Sequence, residues 1–256
     1  MINYNWQIKG RSKKYGFFCL SKIGFDYADP FILNDRYILF EKLCHKEKIG
    51  RIFCYDLEKK FEYVVFENGK HISFPYLFKY EKKIFLLPEE LSLNKVARYE
   101  LEIDINENLK IIKSSESIIR NGKIVDSMFL KFNDKILMLF NEDLGPTGDP
   151  GSFLKLCELD LKTWKIKKEF LISADSRICR NAGLFFYKYK SIFFATQNRL
   201  CGVYGKGFFI NKLSFNGTRY DFEQISNKYQ YSRIHHIFKG SENGIIWDEN
   251  IELKKK

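Results

Sequence analysis

Apolar and polar positions alternate along this chain in short bursts, and the bursts pair up. Asp29-Pro30-Phe31-Ile32-Leu33-Asn34-Asp35-Arg36-Tyr37-Ile38-Leu39-Phe40 reads as an apolar strand, a polar tight turn and a second apolar strand. That is the signature of a β-hairpin. The same shape returns at residues 74–87, 126–140, 181–194 and, most weakly, 235–247. The five copies recur at intervals of about 45 to 55 residues, the period expected of propeller blades.

Between the copies lie further strand-like runs at residues 51–57, 97–101, 154–159 and 207–213. Two inner and two outer strands make a four-stranded blade, and five blades account for the whole length. The pattern therefore predicts an all-β chain, a single five-bladed β-propeller domain over residues 1–256. A β-sandwich is the rival, but nothing in a sandwich requires five repeating hairpins. Helical periodicity is scarce; Leu91 to Arg98 has room for one turn of helix. Asn141 to Ser152, rich in Gly, Pro and Asp, reads as a long irregular connection, since strand patterning continues on both sides.

Composition adds to this picture without redirecting it. Aromatic residues make up 17% of the chain, with 25 Phe and 15 Tyr, and such residues suit pleated, half-buried surfaces. The net charge of +11 suggests an anionic partner, but the Lys residues are scattered among Glu and Asp. No nucleic-acid-binding module accompanies them, so no nucleic acid is expected as partner. The terminal Lys254-Lys255-Lys256 run reads as a solvated tail. The six cysteines form no C-x-x-C pair and read as reduced and buried. No secretion signal opens the chain and no run is long enough to span a membrane, so a cytoplasmic location is the expectation.

In a propeller the innermost strands line the axis, and the residues that open them converge at one mouth of the channel. The repeat nominates Asp29, Ser73 with His71, Asp126, Arg180 with Asn181, and His235 with His236. Glu41 and Glu89 close the second strands of the first two hairpins, and Gln197 closes that of the fourth. Each has an ordinary structural reading alone: Asp-Pro is a turn signal, and a lone His is more often satisfied in a core. Their shared phase in the repeat sets them apart. Carboxylates around a central pocket are what glycosyl transfer needs, one moving a proton at the glycosidic oxygen and another assisting the nucleophile. The sequence lacks a G-x-x-x-x-G-K phosphate loop, a G-x-S-x-G elbow and an H-E-x-x-H zinc motif.

These same segments resemble a known family. Ala28-Asp29-Pro30-Phe31, His71-Ile72-Ser73-Phe74-Pro75-Tyr76, Val125-Asp126-Ser127-Met128-Phe129, Arg180-Asn181-Ala182-Gly183, Tyr204-Gly205 and Ile234-His235-His236-Ile237 with Ile246-Trp247-Asp248 look like the N-terminal propeller domain of plant glucosamine inositolphosphorylceramide transferases and their bacterial relatives. Such relatives often occur with cell-surface polysaccharide genes. More distantly the pattern is similar to glycoside hydrolase family 43. That resemblance implies Asp29 as general base and Asp126 as the residue that tunes the acid. The Glu-Gly-Pro motif of its general acid is missing; Arg180-Asn181-Ala182-Gly183 stands in its place, so either Glu89 supplies the acid from another blade, or the reaction is a transfer, or the site only binds.

The sequence thus predicts a carbohydrate-active propeller, transferring or cleaving a glycosyl unit in cell-surface glycan metabolism. Asp29, Asp126 and Glu89 are the catalytic candidates. Glu41, His71, Arg180, Asn181, Gln197, Tyr204, His235 and His236 are the substrate-binding candidates, with Arg180 suited to an anionic group on the sugar. A non-catalytic glycan-binding module is the alternative, and a partner enzyme of glycan synthesis fits either. No cofactor and no metal ion are expected; calcium, which related hydrolase propellers can hold, suits the His-bearing strand ends poorly.

Overall fold

A computed structural model describes residues 4–90, 95–119, 123–132, 134–143, 153–160, 162–175, 177–188, 191–199, 207–229, 234–239 and 244–252. Among them every regular element is a strand, and no helix is long and apolar enough to cross a membrane. The chain runs β1 (Tyr4–Ser12), β2 (Gly16–Leu20), β3 (Phe25–Leu33), β4 (Tyr37–Cys44), β5 (Ile49–Asp56), β6 (Phe61–Phe66), β7 (Ser73–Tyr80), β8 (Lys83–Glu89), β9 (Lys95–Ile103) and β10 (Leu109–Ile119). It continues with β11 (Lys123–Phe132), β12 (Lys135–Asp143), β13 (Phe153–Asp160), β14 (Lys165–Ser173), β15 (Asn181–Lys188), β16 (Ser191–Gln197), β17 (Phe208–Phe215), β18 (Tyr220–Tyr229), β19 (Ile234–Lys239) and β20 (Ile245–Glu252).

Three four-stranded antiparallel sheets take the strands in order: β3 to β6, β7 to β10 and β11 to β14. The remaining eight strands form one sheet in the order β18-β17-β16-β15-β19-β20-β1-β2. Its two halves meet at one parallel pairing, Gly183 with Ile237. The second half is closed by the start of the chain, where β1 pairs with β20 from Tyr4 opposite Glu252 to Arg11 opposite Ile245. The first strands touch in succession: β3 meets β7 and β19, β7 meets β11, β11 meets β15, and β15 meets β19.

Burial follows strand position. β4 is buried over its first six residues, β5 alternates strictly, and β14 is mostly open to solvent. The alternation explains why strands form: Arg51, Lys155 and Glu158 of the third strands keep partial contact with solvent while Ile52, Cys54, Leu154 and Leu156 are buried. Phe40, Phe140 and Phe194 are fully buried on the second strands. Each such ring contributes about 1.5–3 kcal/mol by leaving water. Around the inner strands Phe31 packs against Phe238 in a tilted pair at 3.8 Å between centroids and meets Phe74 edge-on at 5.2 Å.

Three expectations are corrected here. Lys95 to Arg98 open β9 and are not helical; the Glu100 and Leu101 that follow pair with β8. Asn141 to Asp143 end β12 and do not belong to a loop, while 144–152 lie outside the described residues. Cys19 is exposed, because it lies on the edge strand β2, whereas Cys54, Cys157 and Cys179 are buried.

Candidate functional site

Each first strand breaks its register once, at the same place. The breaks fall between Ala28 and Phe31, Ser73 and Tyr76, Val125 and Met128, Asn181 and Phe185, and Ile234 and Ile237. A bulge puts extra residues opposite one partner residue and turns the strand. Asp29, Phe74 and Asp126 sit at the bulges with φ of 52°, 46° and 51°, a region that non-glycine residues rarely adopt. The fourth bulge carries Gly183 with φ 97°.

A bulge takes a backbone N–H out of the ladder, and a buried N–H needs an acceptor. Side chains from the preceding sheet unit supply it. Asp248 Oδ2 accepts from Asp29 N–H at 3.0 Å, and Asp29 Oδ2 accepts from Phe74 N–H at 3.0 Å. Glu89 Oε2 accepts from Asp126 N–H at 2.9 Å, and Asn141 Oδ1 from Asn181 N–H at 2.7 Å. Asp248 Oδ1 also accepts from the His235 and His236 amides at 3.0 and 2.6 Å. The acidic side chains are thus brought together by the same contacts that satisfy the strained backbone.

His236 lies at the middle, fully buried. Its Nδ1 is 2.5 Å from Asp29 Oδ1 and its Nε2 is 3.5 Å from Asp126 Oδ1. Burial alone would lower the basicity of His236, but the Asp29 charge and the nearby Asp126 and Asp248 carboxylates raise it well above the ordinary imidazole value. His235 is lowered, first by burial and then by the charge of His236. Arg180 Nε donates to Asp126 Oδ2 at 2.7 Å. Burial works against the Asp126 anion, yet Arg180 and His236 hold its carboxyl well below the usual range. Asp248 is held low in the same way by His235 and His236, against its burial.

Two glutamates shift the other way from these aspartates. Burial, followed by the Asp126 charge, pushes the Glu89 carboxyl up to about 8. Glu89 nevertheless keeps partial contact with solvent, at the edge of a small cleft lined by Phe74, Val96, Ile124 and Ser127. Glu41 is also pushed up, by burial and then by Asp29, and its Oε1 has no hydrogen bond. That oxygen lies 3.4 Å from His71 Nε2, while His71 Nδ1 accepts from Gly50 N–H at 3.1 Å. A side chain at position 50 would collide with it, since a Cβ there would lie 2.2 Å from Glu41 Oε1. Gly50 is the backbone's allowance for the Glu41–His71 contact.

Asp29, Asp126, Arg180, His235 and His236 therefore share one buried cluster, with Glu89 beside it and Glu41 with His71 on its flank. The bulges revise the register within the ring. Phe74, not Ser73 or His71, takes the position of Asp29 and Asp126; Ser73 and Asn181 align with Ala28, one residue earlier. Asn181 donates through Nδ2 to Asp126 O at 2.8 Å, and Gln197 N–H donates to Arg180 O at 2.6 Å. Both are fully buried and hold backbone in place. Tyr204 lies outside the described residues. Sequence reasoning missed Asp248 and Asn141. Asp248 faces the His235–His236 bulge from β20 in the Trp247-Asp248 pair, and that pairing was the available signal.

With this geometry in view, comparisons with known proteins add four findings. The structure is similar to an exo-beta-1,3-galactanase from Clostridium thermocellum, with a TM-score of 0.56 and 10% identity over 96% of this chain and 57% of that one. It is similar to a glycoside hydrolase with a TM-score of 0.55 and 9% identity, over 90% of this chain and 60% of that one. The chain thus spans less than two thirds of either, and at such identity the likeness speaks for the all-β, propeller-like fold alone. A comparison with curated protein sequences finds no match. A family model described as "Glucosamine inositolphosphorylceramide transferase 1, N-terminal" matches residues 26–245.

Proposed function

Given that the chain belongs to the glucosamine inositolphosphorylceramide transferase 1, N-terminal family, we propose that it is one five-bladed propeller domain that handles a glycosyl group at its axis, with Glu89 as the acid. Support for five blades comes from the halves of the eight-stranded sheet. Each half is a four-stranded antiparallel unit like the other three sheets, and the halves share one parallel pairing.

The observation that carries the chemistry is the divergence of Glu89 and Asp126. Two neighbouring carboxyls whose environments push them apart mark an acid and its anionic partner. Glu89, raised to about 8, is protonated at neutral pH and meets solvent. In the proposed step its proton passes to the glycosidic oxygen as the bond from that oxygen to the anomeric carbon breaks. Water or an acceptor hydroxyl then attacks the anomeric carbon and gives its proton to the Glu89 carboxylate, which restores the acid. Asp126, only 2% exposed, keeps the site anionic and orients Arg180, whose guanidinium suits a phosphate or carboxylate on the sugar. Asp29 has one oxygen on the Phe74 amide and the other beside His236. In this reading it orients the cluster and does not activate a nucleophile.

One observation favours a second reading. Asp29 and Asp126 are both sealed, which leaves Glu89 as the solvent-facing member of the three catalytic candidates. A glycan-binding module needs no second accessible carboxylate. Incubation of wild type and Glu89→Gln with a panel of nucleotide sugars, sugar phosphates and p-nitrophenyl glycosides separates the two. The enzyme reading expects turnover that falls about 100-fold or more in Glu89→Gln while binding persists. The binding reading expects affinity without turnover in both. Neither binding nor turnover with any sugar would sink both.

A further inference from the structure

The ring of carboxylates contains a donor set that the glycosyl reading does not use. Asp29, His235, His236 and Asp248 each offer one ligating atom, and these atoms all lie within 4.8 Å of one another. All four residues are more than nine-tenths buried, at 4%, 6%, 0% and 0% exposure. Within this set Asp29 Oδ1 and His236 Nδ1 are buried atoms without a hydrogen bond, although they face each other at 2.5 Å. Two sealed polar atoms in contact yet without a hydrogen bond are a pair that a third atom bridging them would satisfy.

We propose that Asp29, His235, His236 and Asp248 bind a divalent transition cation of the zinc class. The distances fit. Around a tetrahedral zinc ion with bonds of about 2.1 Å, ligand atoms stand about 3.4 Å apart. Here Asp248 Oδ2 is 3.3 Å from His235 Nδ1, Asp29 Oδ1 is 3.6 Å from His235 Nδ1, and Asp248 Oδ2 is 3.7 Å from His236 Nδ1. The 2.5 Å edge from Asp29 to His236 must open, and the remaining separations lie within 4.8 Å. The ligand chemistry selects the ion. Two imidazoles with two carboxylates are a borderline set that suits zinc, whereas calcium and magnesium favour sites made of oxygen alone.

The outer contacts are also those of a metal site. An imidazole that ligates through one nitrogen commonly donates its other N–H to a carboxylate, which fixes the tautomer and the ring. His236 has Nδ1 toward the centre and Nε2 facing Asp126 Oδ1 at 3.5 Å, and Arg180 holds Asp126 in place. Asp248 is oriented by three backbone amides and Asp29 by one. The four ligands come from β3, β19 and β20, so the cation ties the seam where the chain ends meet. With four protein ligands and no exposed face, its role is structural. Glu89 is not a ligand, so the site stands or falls independently of the proposed acid.

The test uses the untagged full chain, stripped with EDTA, dialysed and titrated with zinc sulfate by calorimetry. The expected result is one zinc per chain, a higher thermal midpoint with zinc than without, and an anomalous peak at the zinc edge within bonding distance of the four named atoms. His235→Gln is expected to bind zinc at least tenfold more weakly while keeping the far-UV spectrum of the wild type. His45→Ala, remote from the set, is expected to bind as wild type. Absence of stoichiometric zinc binding to the wild-type chain would overturn the proposal. So would a peak elsewhere, unchanged affinity in His235→Gln, or a site that takes calcium and refuses zinc.

Discussion

Glu89 and Asp126 are joined by one hydrogen bond yet respond to pH in opposite senses. The Glu89 carboxyl is raised in the folded chain, so its contribution to stability is fully present below the ordinary carboxylate value and is lost as pH rises through about 8. Thermal midpoints at pH 5 and pH 9 check this: wild type should fall more over that interval than Glu89→Gln. Asp126 is depressed, so its contribution is present above the ordinary value of about 3.9 and is lost as pH falls below it. Asp126→Asn removes the buried carboxylate from its pair with Arg180 and should cost about 3–5 kcal/mol at pH 7. Denaturant titrations should show that gap narrowing toward pH 3. Asp29 and Asp126 were legible in the sequence because they recur at one phase of the repeat, whereas Asp248, on the opposing strand β20, was not. Their protonation states were not, since those depend on which neighbour each bulge brings close. Asp126 and Glu89 differ by 37 positions along the chain and by one hydrogen bond in space.

At the scale of the element, the bulge is the unit that builds the site. Asp29, Phe74 and Asp126 accept positive φ because a side chain of the preceding unit captures the freed amide or its neighbour. The hairpins themselves were readable as apolar runs around polar turns, and β3–β4, β7–β8, β11–β12, β15–β16 and β19–β20 lie where those runs predict. The bulges were not readable. Alternation of apolar and polar positions cannot reveal an extra residue when Ser73, Phe74 and Pro75 are all buried, and the one-residue slip from Phe74 to Ser73 follows from that. Gly183 gives the element-scale test. Its φ is 97°, and a Cβ there would lie 2.3 Å from the Phe238 ring. Gly183→Ala should therefore destabilise the chain by about 1–3 kcal/mol or more in denaturant titrations, even though it adds only a methyl group.

Across the whole molecule, closure depends on contacts between distant parts of the chain. β1 pairs with β20 and covers Ile246, and the axial cluster draws on Asp29 near one end and Asp248 near the other. The fivefold repeat was legible because each unit carries its own hairpin, but the role of β1 was not, since a strand's partner across some 240 residues leaves no periodic trace. Deleting residues 1–20 should expose the β20 edge and lower the thermal midpoint relative to the intact chain, which calorimetry would detect. The account as a whole turns on the axis being the place where sugar is held. A crystal structure with a sugar from the panel that binds in solution tests this most directly. The account predicts sugar density beside Glu89 and Arg180, with an oxygen of the sugar within hydrogen-bonding distance of the Glu89 carboxyl. Density for the same sugar on the outer strands, away from Glu89 and Arg180, would contradict it.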